Sequence, residues 1–237
     1  MLYVVATPIG NWGDITDRAR QILKECDIVI GEEHRVTSTL LKKIGVGATD
    51  PATKEKPIYL LNEHSKPRDI QELCDLCAAN KVALVSDCGT PGFADPGPAL
   101  IKLCRARKIP VTALPGASAL TTLLSLTSEP IQSFVFFGFL PRENERRTQA
   151  VHELTVEKRA WIIMETPYRY LAVLEQLAQK LPQERAILAL NLTQESELVI
   201  EGSFTHIFNE ISKTGIEKAE FILLKYPRSA VEKNKNR

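Results

Sequence analysis

Short apolar runs alternate with longer stretches of helical periodicity through the first half of the chain. The apolar runs have the length and composition of strands that are buried on both faces. These runs are Leu2–Ala6, Ile28–Ile30, Ile58–Leu61, Val82–Val85 and Val111–Leu114. Helical spacing of apolar residues covers about 16–25, 36–43, 68–79 and 99–107. This β-α alternation predicts a mostly parallel sheet with helices on both faces.

The alternation changes beyond Pro115, where the pattern is typical of an α+β domain. Strands are predicted over 134–139, 160–164, 186–191, 197–202 and 220–225. Helices are predicted after Ser118 and over about 146–156, 169–180 and 204–212. We therefore expect an α/β protein with a mostly parallel N-terminal domain at 1–115 and an α+β C-terminal domain at 116–228. A charged segment at 229–237 is expected to be a flexible tail, and the polar segment 47–56 a surface loop.

Composition adds constraints of class and compartment. The chain has 237 residues, 44% hydrophobic and 25% charged, with a formal net charge of +1. Such a chain has no overall attraction for nucleic acid, so RNA binding would depend on local patches. No apolar run approaches the roughly 20 residues that span a bilayer, so no membrane association is expected.

The five cysteines are scattered and odd in number, which indicates reduced thiols in a cytoplasmic protein. Cys74 and Cys77 have the spacing of half a zinc site. No second Cys or His pair follows at ligand spacing, so no metal site is expected.

The stretch Leu84–Pro98 holds the strongest local signal for chemistry. Within it three glycines permit positive φ or close backbone approach, and three prolines stiffen the chain. A buried strand that runs into such an acid-bearing loop and then a helix is typical of a ligand site at the carboxyl end of an α/β strand. The alternative is an ordinary turn-rich connection.

Polar residues also follow the other predicted strands. Since parallel strands end at one edge of a sheet, these residues should converge around one crevice. Each of them could alternatively be a helix cap or a solvated charge. The group comprises Asn11, Asp14, Glu32, Glu33, Arg35, Glu63, His64, Asp87 and Asp95.

Familiar nucleotide and hydrolase motifs are missing from the sequence. The first loop has Gly10 and Gly13 but not Gly-x-Gly-x-x-Gly, and neither a P-loop nor a Gly-x-Ser-x-Gly elbow occurs.

A local basic patch of Arg142, Arg146 and Arg147 follows an aromatic stretch. It is either a solvated helix start or a contact for a phosphate backbone.

Several motifs, in their order along the chain, resemble the tetrapyrrole methylase superfamily. They are Thr7-Pro-Ile-Gly-Asn, Gly13-Asp-Ile-Thr, Ser86-Asp-Cys-Gly-Thr-Pro, Asp95-Pro-Gly, Pro115-Gly-Ala-Ser-Ala, Gly138-Phe-Leu-Pro, Glu165-Thr-Pro-Tyr-Arg169 and Asn191-Leu-Thr-Gln-Glu195. Within the superfamily the likeness is to bacterial enzymes that 2′-O-methylate a cytidine ribose of small-subunit ribosomal RNA.

The resemblance implies a two-domain methyltransferase, a homodimer, with S-adenosylmethionine held in a cleft between the domains. By resemblance, the loop Asp87-Cys88-Gly89-Thr90 holds the methionine end of the cofactor. The other cofactor residues that it implies are Pro8, Ile9, Ser118, Ala119, Met164, Leu192 and Phe221.

Three departures from the family pattern affect the RNA interpretation more than the cofactor interpretation. The ribosomal enzymes tend to read Glu-Asp-Thr-Arg where this chain has Glu32-Glu-His-Arg35, and Ala in place of Cys88. They also tend to continue into a small C-terminal region, whereas this chain stops soon after Tyr226. We expect the cofactor site to be retained and the contact with the ribosome to be reduced.

Methyl transfer to a ribose hydroxyl benefits from a general base, because the hydroxyl is a poor nucleophile. Glu32, Glu33 and His64 are the candidates by position. Three hypotheses remain open: a methyltransferase for ribosomal or other RNA, one for a tetrapyrrole or other small molecule, and a noncatalytic metabolite-binding module. For the first, Asn11, Asp14, Arg35 and the three arginines of the basic patch are the candidate RNA contacts.

Overall fold

The computed structural model describes residues 1–46, 56–92 and 95–228. The tail at 229–237 lies outside the described residues, as does all but Lys56 of the segment expected to be a surface loop. The chain divides into two compact units, Met1–Ser118 and Ala119–Arg237.

Unit 1 is built on a five-stranded sheet in the order β3-β2-β4-β1-β5, with every neighbouring pair parallel. The strands are β1 Leu2–Val5, β2 Ile28–Gly31, β3 Ile58–Leu60, β4 Val82–Val85 and β5 Val111–Leu114. All four residues of the central strand β4 are buried, as the continuous apolar run predicted. The carboxyl ends of all five strands therefore meet at one edge.

The helices of unit 1 cover both faces of this sheet. They are α1 Asp17–Glu25, α2 His34–Lys43, α3 Pro67–Ala79 and α4 Gly97–Ala106. Leu23 of α1 and Leu40 of α2 pack with Val85 on one face, whereas Cys74 of α3 and Leu100 of α4 pack on the other. This arrangement explains why the strands lack the alternation of a half-exposed sheet.

Local capping accounts for the helix starts. The Thr16 hydroxyl accepts a hydrogen bond from the Ala19 amide at 3.1 Å, so Thr16 is the N-cap of α1. Helices α3 and α4 begin one and two residues earlier than predicted, at Pro67 and Gly97. The reason is that proline fits the first turn of a helix, where its missing N–H is not needed. A short 3₁₀-helix at Trp12–Asp14 was not predicted.

Unit 2 has a mixed sheet in the order β6-β7-β10-β8-β9, in which only the β6–β7 pair is parallel. Its strands are β6 Phe134–Phe139, β7 Ala160–Glu165, β8 Arg185–Leu190, β9 Leu198–Ser203 and β10 Phe221–Lys225. Its helices are α5 Ala119–Ser125, α6 Asn144–Val156, α7 Tyr170–Lys180 and α8 Phe204–Thr214. Trp161, Tyr170 and Phe204 are the largest fully buried side chains of its core.

The predicted α/β class is confirmed: the N-terminal sheet is parallel, and a second, mixed sheet with its helices follows. Within the described residues, no helix has the length and apolar character needed to cross a membrane.

Candidate active site

The loop after β4 is folded tightly against the loop after β1. The Thr7 amide donates to the Gly89 carbonyl at 2.8 Å, and the buried Thr7 hydroxyl donates to Ser86 O at 3.2 Å. The Ser86 hydroxyl closes the same loop by donating to Gly89 O at 3.0 Å. Gly89 has φ +87°, and a Cβ there would lie 3.3 Å from the Ile9 side chain. A glycine is therefore needed at this position.

The loop after β5 joins this surface. Thr90 donates its hydroxyl hydrogen to the Ala117 carbonyl at 3.0 Å, and a Cβ on Gly116 would lie only 2.8 Å from the Ala6 Cβ. Because β4, β1 and β5 are adjacent in the sheet and hydrogen bonds join their loops, the three loops form one continuous surface. We call it the three-loop surface, comprising residues 7–9, 86–90 and 116–118.

Beside this surface lies a cavity of about 240 Å³ with mostly apolar walls, here called the apolar cavity. Pro8, Ile9, Val36 and Leu40 supply the apolar part of its wall. Its full lining is Thr7, Pro8, Ile9, Gly10, Trp12, Val36, Thr37, Leu40, Ser86, Asp87 and Cys88. The Cys88 thiol is exposed and lies 3.6 Å from the Ile9 carbonyl oxygen, to which it can donate.

A second hollow, of about 540 Å³, opens beyond β4 and is lined mainly by acidic side chains. We call it the acidic hollow, and its lining is Glu32, Glu33, Asn62, Glu63, His64, Asp87, Asp95 and Pro96. The predicted convergence of strand-end residues is thus correct for the loops after β2, β3 and β4. Asp87 lines both spaces and forms the wall that they share.

Glu32 and Asp87 hold the β2 and β4 loops together through reciprocal hydrogen bonds. Glu32 Oε1 accepts from the Asp87 amide at 3.1 Å, and Asp87 Oδ1 accepts from the Glu33 amide at 3.3 Å. Partial burial, and next the neighbouring charges of Asp87 and Asp95, raise the pKa of Glu32 above its ordinary value. Partial desolvation and then the charge of Glu33 raise the pKa of Asp87. The hollow therefore favours a proton or a cation.

The other two candidate bases differ from Glu32 in their surroundings. Glu33 is exposed at the N-cap position of α2 and makes no side-chain capping bond. The side chain of His64 is 84% exposed, and its Nε2 lies 3.8 Å from Glu63 Oε1. Among the three candidates, only Glu32 is half-buried and hydrogen-bonded across strands through its carboxylate.

Asp95 is engaged in holding its own loop. Its two carboxylate oxygens accept from the amides of Gly92 and Gly97, at 2.6 and 2.8 Å. These bonds fix the turn that leads into α4. Asp95 thus has a structural role as well as a place in the lining of the hollow.

Three of the predicted RNA contacts in unit 1 lie outside the linings of the two hollows. The Asn11 side chain caps the 3₁₀-helix by accepting from the Gly13 amide at 2.9 Å, and Asp14 lies in that helix, exposed. Arg35 is exposed in the first turn of α2.

In unit 2 the predicted cofactor residues meet at one edge of the mixed sheet. Met164 lies at the end of β7 and pairs with Ile222, while Phe221 at the start of β10 pairs with Leu190. Leu192 follows β8 and is buried, as is Phe221, and Met164 is half-buried. Ser118 and Ala119 adjoin the boundary of the two units and are half-buried.

The basic patch lies where β6 leads into α6. Arg142 and Arg146 are exposed and Arg147 is half-buried. Arg146 forms an ion pair with Glu143 at 3.1 Å, and Arg147 donates to the Asn144 side chain at 2.6 Å. The patch is thus part of the surface and partly neutralised.

Sequence reasoning missed Asn62, which lines the acidic hollow and donates its side-chain amide to the Glu32 carbonyl at 3.4 Å. It directly follows the predicted strand, so the criterion that selected Glu63 could have found it. Trp12 and Val36 of the apolar cavity were also missed, because an apolar side chain near a strand end carries no signal of its own.

Comparison with known proteins finds similarity to methyltransferases along most of the chain. The family model described as Tetrapyrrole (Corrin/Porphyrin) Methylases matches residues 1–207. A protein of Synechocystis sp. named "Ribosomal RNA small subunit methyltransferase I" is 38% identical over 204 residues, which are 86% of this chain and 71% of the relative. A protein of the same name from Thermotoga maritima is 33% identical over 213 residues, or 90% and 92% of the two chains. A crystal structure of diphthine synthase has a TM-score of 0.73 at 13% identity and covers 95% of this chain and 89% of that one.

Proposed function

The chain belongs to the tetrapyrrole (corrin/porphyrin) methylases and is a methyltransferase, and from this premise we propose that it methylates a ribose 2′-hydroxyl in small-subunit ribosomal RNA with S-adenosylmethionine as donor. The observation that carries the proposal is the position of Asp87. It is the residue common to the lining of the apolar cavity and that of the acidic hollow. In-line methyl transfer needs a donor site and an acceptor site that adjoin, as these two spaces do at Asp87.

The residues of the three-loop surface fit S-adenosylmethionine. Gly89 is buried at positive φ and packs against Ile9, which leaves Asp87, Cys88 and Thr90 of the same loop exposed to a ligand. The Asp87 carboxylate suits a ligand that carries a sulfonium and an ammonium group. The cofactor, when bound, supplies an electrophilic methyl group.

We assign the unit 1 cofactor contacts to the loops after β1, β4 and β5. In this assignment Pro8 and Ile9 contribute apolar contact, and Asp87, Cys88, Gly89 and Thr90 contribute backbone and carboxylate groups. Ser118, Ala119, Met164, Leu192 and Phe221 complete the proposed set, which follows the family motifs.

Glu32 is the proposed general base. Its carboxylate would accept the proton of the ribose hydroxyl while the hydroxyl oxygen takes the methyl group, the methyl carbon–sulfur bond breaks and its electron pair stays on the sulfur of the departing thioether. Solvent would take up the proton afterwards. A raised pKa makes a carboxylate a better proton acceptor near neutral pH. The Asp87 amide and the Asn62 side chain position the β2 loop through hydrogen bonds to Glu32.

The RNA substrate is supported by the names of the two relatives and by the basic patch. Arg142, Arg146 and Arg147 are candidates for phosphate contacts, and Asn11, Asp14 and Arg35 for further RNA contacts on unit 1.

We also expect the protein to act as a homodimer in the cytoplasm. Light scattering on the purified protein would measure the first of these expectations.

Ribose methylation mapping by mass spectrometry tests the function. Small-subunit RNA from a strain lacking this protein should have lost one 2′-O-methyl group, and the purified protein with S-adenosylmethionine should restore it on the isolated subunit. Replacing the three arginines should reduce the slope of log affinity against log salt by about 0.7 for each single-strand phosphate that is no longer neutralised. Unchanged ribosomal RNA in the deletion strain would contradict the RNA assignment and would redirect the search to a small-molecule acceptor.

A further inference from the structure

The turn after β7 carries an unusually exposed aromatic side chain. Tyr168 is 77% exposed, which is the highest value among the large hydrophobic side chains that the structure describes. The Lys218 ammonium lies 4.7 Å from the centre of its ring. This distance is within the range of a cation–π contact, so Lys218 helps to hold the ring outward.

A buried ion pair anchors this turn. Glu165 is 1% exposed, and its Oε1 accepts from Arg169 Nε at 2.9 Å and from the Thr166 amide at 2.7 Å. Arg169 also donates from Nη2 to the Leu140 carbonyl at 2.9 Å. The segment 165–169 is therefore tied at both ends, and the Tyr168 ring projects from a fixed backbone.

Two cations, Lys218 and Arg142, belong to segments at the same edge of the mixed sheet as Tyr168. Strands β6 and β7 run parallel and pair Phe139 with Met164, so the loop that holds Arg142 begins beside the turn that holds Tyr168. Strand β10 runs antiparallel to β7, which brings Lys218, three residues before β10, to the same edge. We call Arg142, Tyr168 and Lys218 the β7 edge.

We propose that the β7 edge binds single-stranded RNA by stacking an unpaired base on Tyr168 while Arg142 and Lys218 contact the flanking phosphates. The inference rests on the proposed function and narrows its substrate to RNA that carries an unstacked nucleotide. An aromatic ring stacks on any base, and neighbouring cations neutralise the backbone that connects the bases. Base and phosphate recognition are thus combined in three exposed side chains.

Charge distinguishes an RNA base from the adenine of the cofactor as the occupant. S-adenosylmethionine carries no phosphate and has a sulfonium, so a lysine and an arginine beside its adenine would have no phosphate to neutralise. Each RNA nucleotide brings one negative charge beside its base, which matches the cations of the β7 edge. The RNA base is therefore the occupant we infer.

Fluorescence anisotropy with a short labelled single-stranded oligoribonucleotide tests this inference. Tyr168→Ala should weaken binding about tenfold to a hundredfold, since stacking contributes a few kcal/mol per base. Tyr168→Phe and Tyr168→Trp should retain most of the affinity, because both keep a ring. An oligomer with abasic riboses should bind the wild-type protein and Tyr168→Ala equally. Lys218→Ala should lower the salt slope by about 0.7.

Tyr59 supplies a matched control, since it is a tyrosine on β3 that is 41% exposed. Tyr59→Ala should leave RNA affinity unchanged, and calorimetry should give the same cofactor affinity for Tyr168→Ala as for the wild-type protein. Equal RNA affinity of Tyr168→Ala and wild type would overturn the inference. So would a loss that also appears with the abasic oligomer, or a loss of cofactor affinity. If the wild-type protein methylates RNA while Tyr168→Ala binds it normally, the inference alone is wrong; if the wild type neither binds nor methylates RNA, the proposed function is wrong as well.

Discussion

Two buried or half-buried glutamates, one in each unit, occupy opposite electrostatic surroundings. Glu32 has the Asp87 amide as a hydrogen-bond donor and the carboxylates of Asp87 and Asp95 as neighbours. Glu165 is fully enclosed and is bound by the Arg169 guanidinium. A carboxylate without a counter-ion is poised to take up a proton, whereas one bonded to a guanidinium ties together the backbone segments that the two residues hold.

The surfaces around these two residues differ in the same way. The edge of the parallel sheet gathers carboxylates into the acidic hollow, and the edge of the mixed sheet carries Arg142, Tyr168 and Lys218 exposed to solvent. Partial burial shifts a pKa and suits proton transfer, while exposure leaves cations available for phosphates. We infer that the first edge carries the chemistry and the second carries substrate binding.

Replacing Glu32 gives the largest expected effect on activity. Glu32→Gln keeps an acceptor for the Asp87 amide but removes the base, so kcat should fall about 10²- to 10⁴-fold. Glu33→Gln and His64→Asn should change kcat far less, because those side chains are exposed. The rate of single-turnover methyl transfer at saturating cofactor measures the loss in each variant. If Glu33→Gln or His64→Asn lost more activity than Glu32→Gln, that residue and not Glu32 would be the base.

Replacing Arg169 tests the other glutamate. Arg169→Ala leaves the Glu165 carboxylate buried without its counter-ion, and the free energy of unfolding should fall by roughly 3–5 kcal/mol. Urea denaturation measures the loss. Lys213→Ala breaks the exposed Lys213–Glu210 pair and should leave stability nearly unchanged. Equal losses in the two variants would mean that burial of the Glu165 pair has no energetic consequence.

The predictability of these regions from sequence differs for a physical reason. Strand β4 and the acidic strand ends were found because apolar runs and the parallel arrangement determine where side chains emerge. The role of Tyr168 was not found, because a tyrosine between Pro167 and Arg169 has no pattern that separates an exposed ring from a buried one. Its exposure follows from the Glu165–Arg169 pair and Lys218, which is fifty residues away along the chain. Contacts of that range leave no local signal.

Asp87 and Asp95 both line the acidic hollow, but we expect their replacement to have different effects. Asp87→Ala removes the carboxylate from the wall of both spaces and should weaken cofactor binding about tenfold to a hundredfold. Asp95→Ala removes an acceptor from two loop amides, so it should chiefly lower stability, by about 1–3 kcal/mol. Titration calorimetry and thermal unfolding separate the two effects. Equal cofactor affinities of the two variants would refute the special role of Asp87.

The smallest expected effect is a pH-dependent change in stability at Glu32. Burial raises the pKa of Glu32 in the folded protein above its ordinary value of 4.5, so the folded state binds this proton more tightly than the unfolded state does. The free energy of unfolding should therefore fall as pH rises from the unfolded pKa through the folded one. Glu32→Gln cannot titrate, so it should be more stable than the wild type above that interval and gain nothing below it. Because Glu32 is only half-buried, the gain in the free energy of unfolding should be under about 1 kcal/mol.

Urea unfolding of the wild type and Glu32→Gln from acid to neutral pH measures this difference, with Glu33→Gln as the exposed control. A variant less stable than wild type at neutral pH would show that the Glu32 charge is stabilised in the fold, which would remove the physical basis for its role as the base.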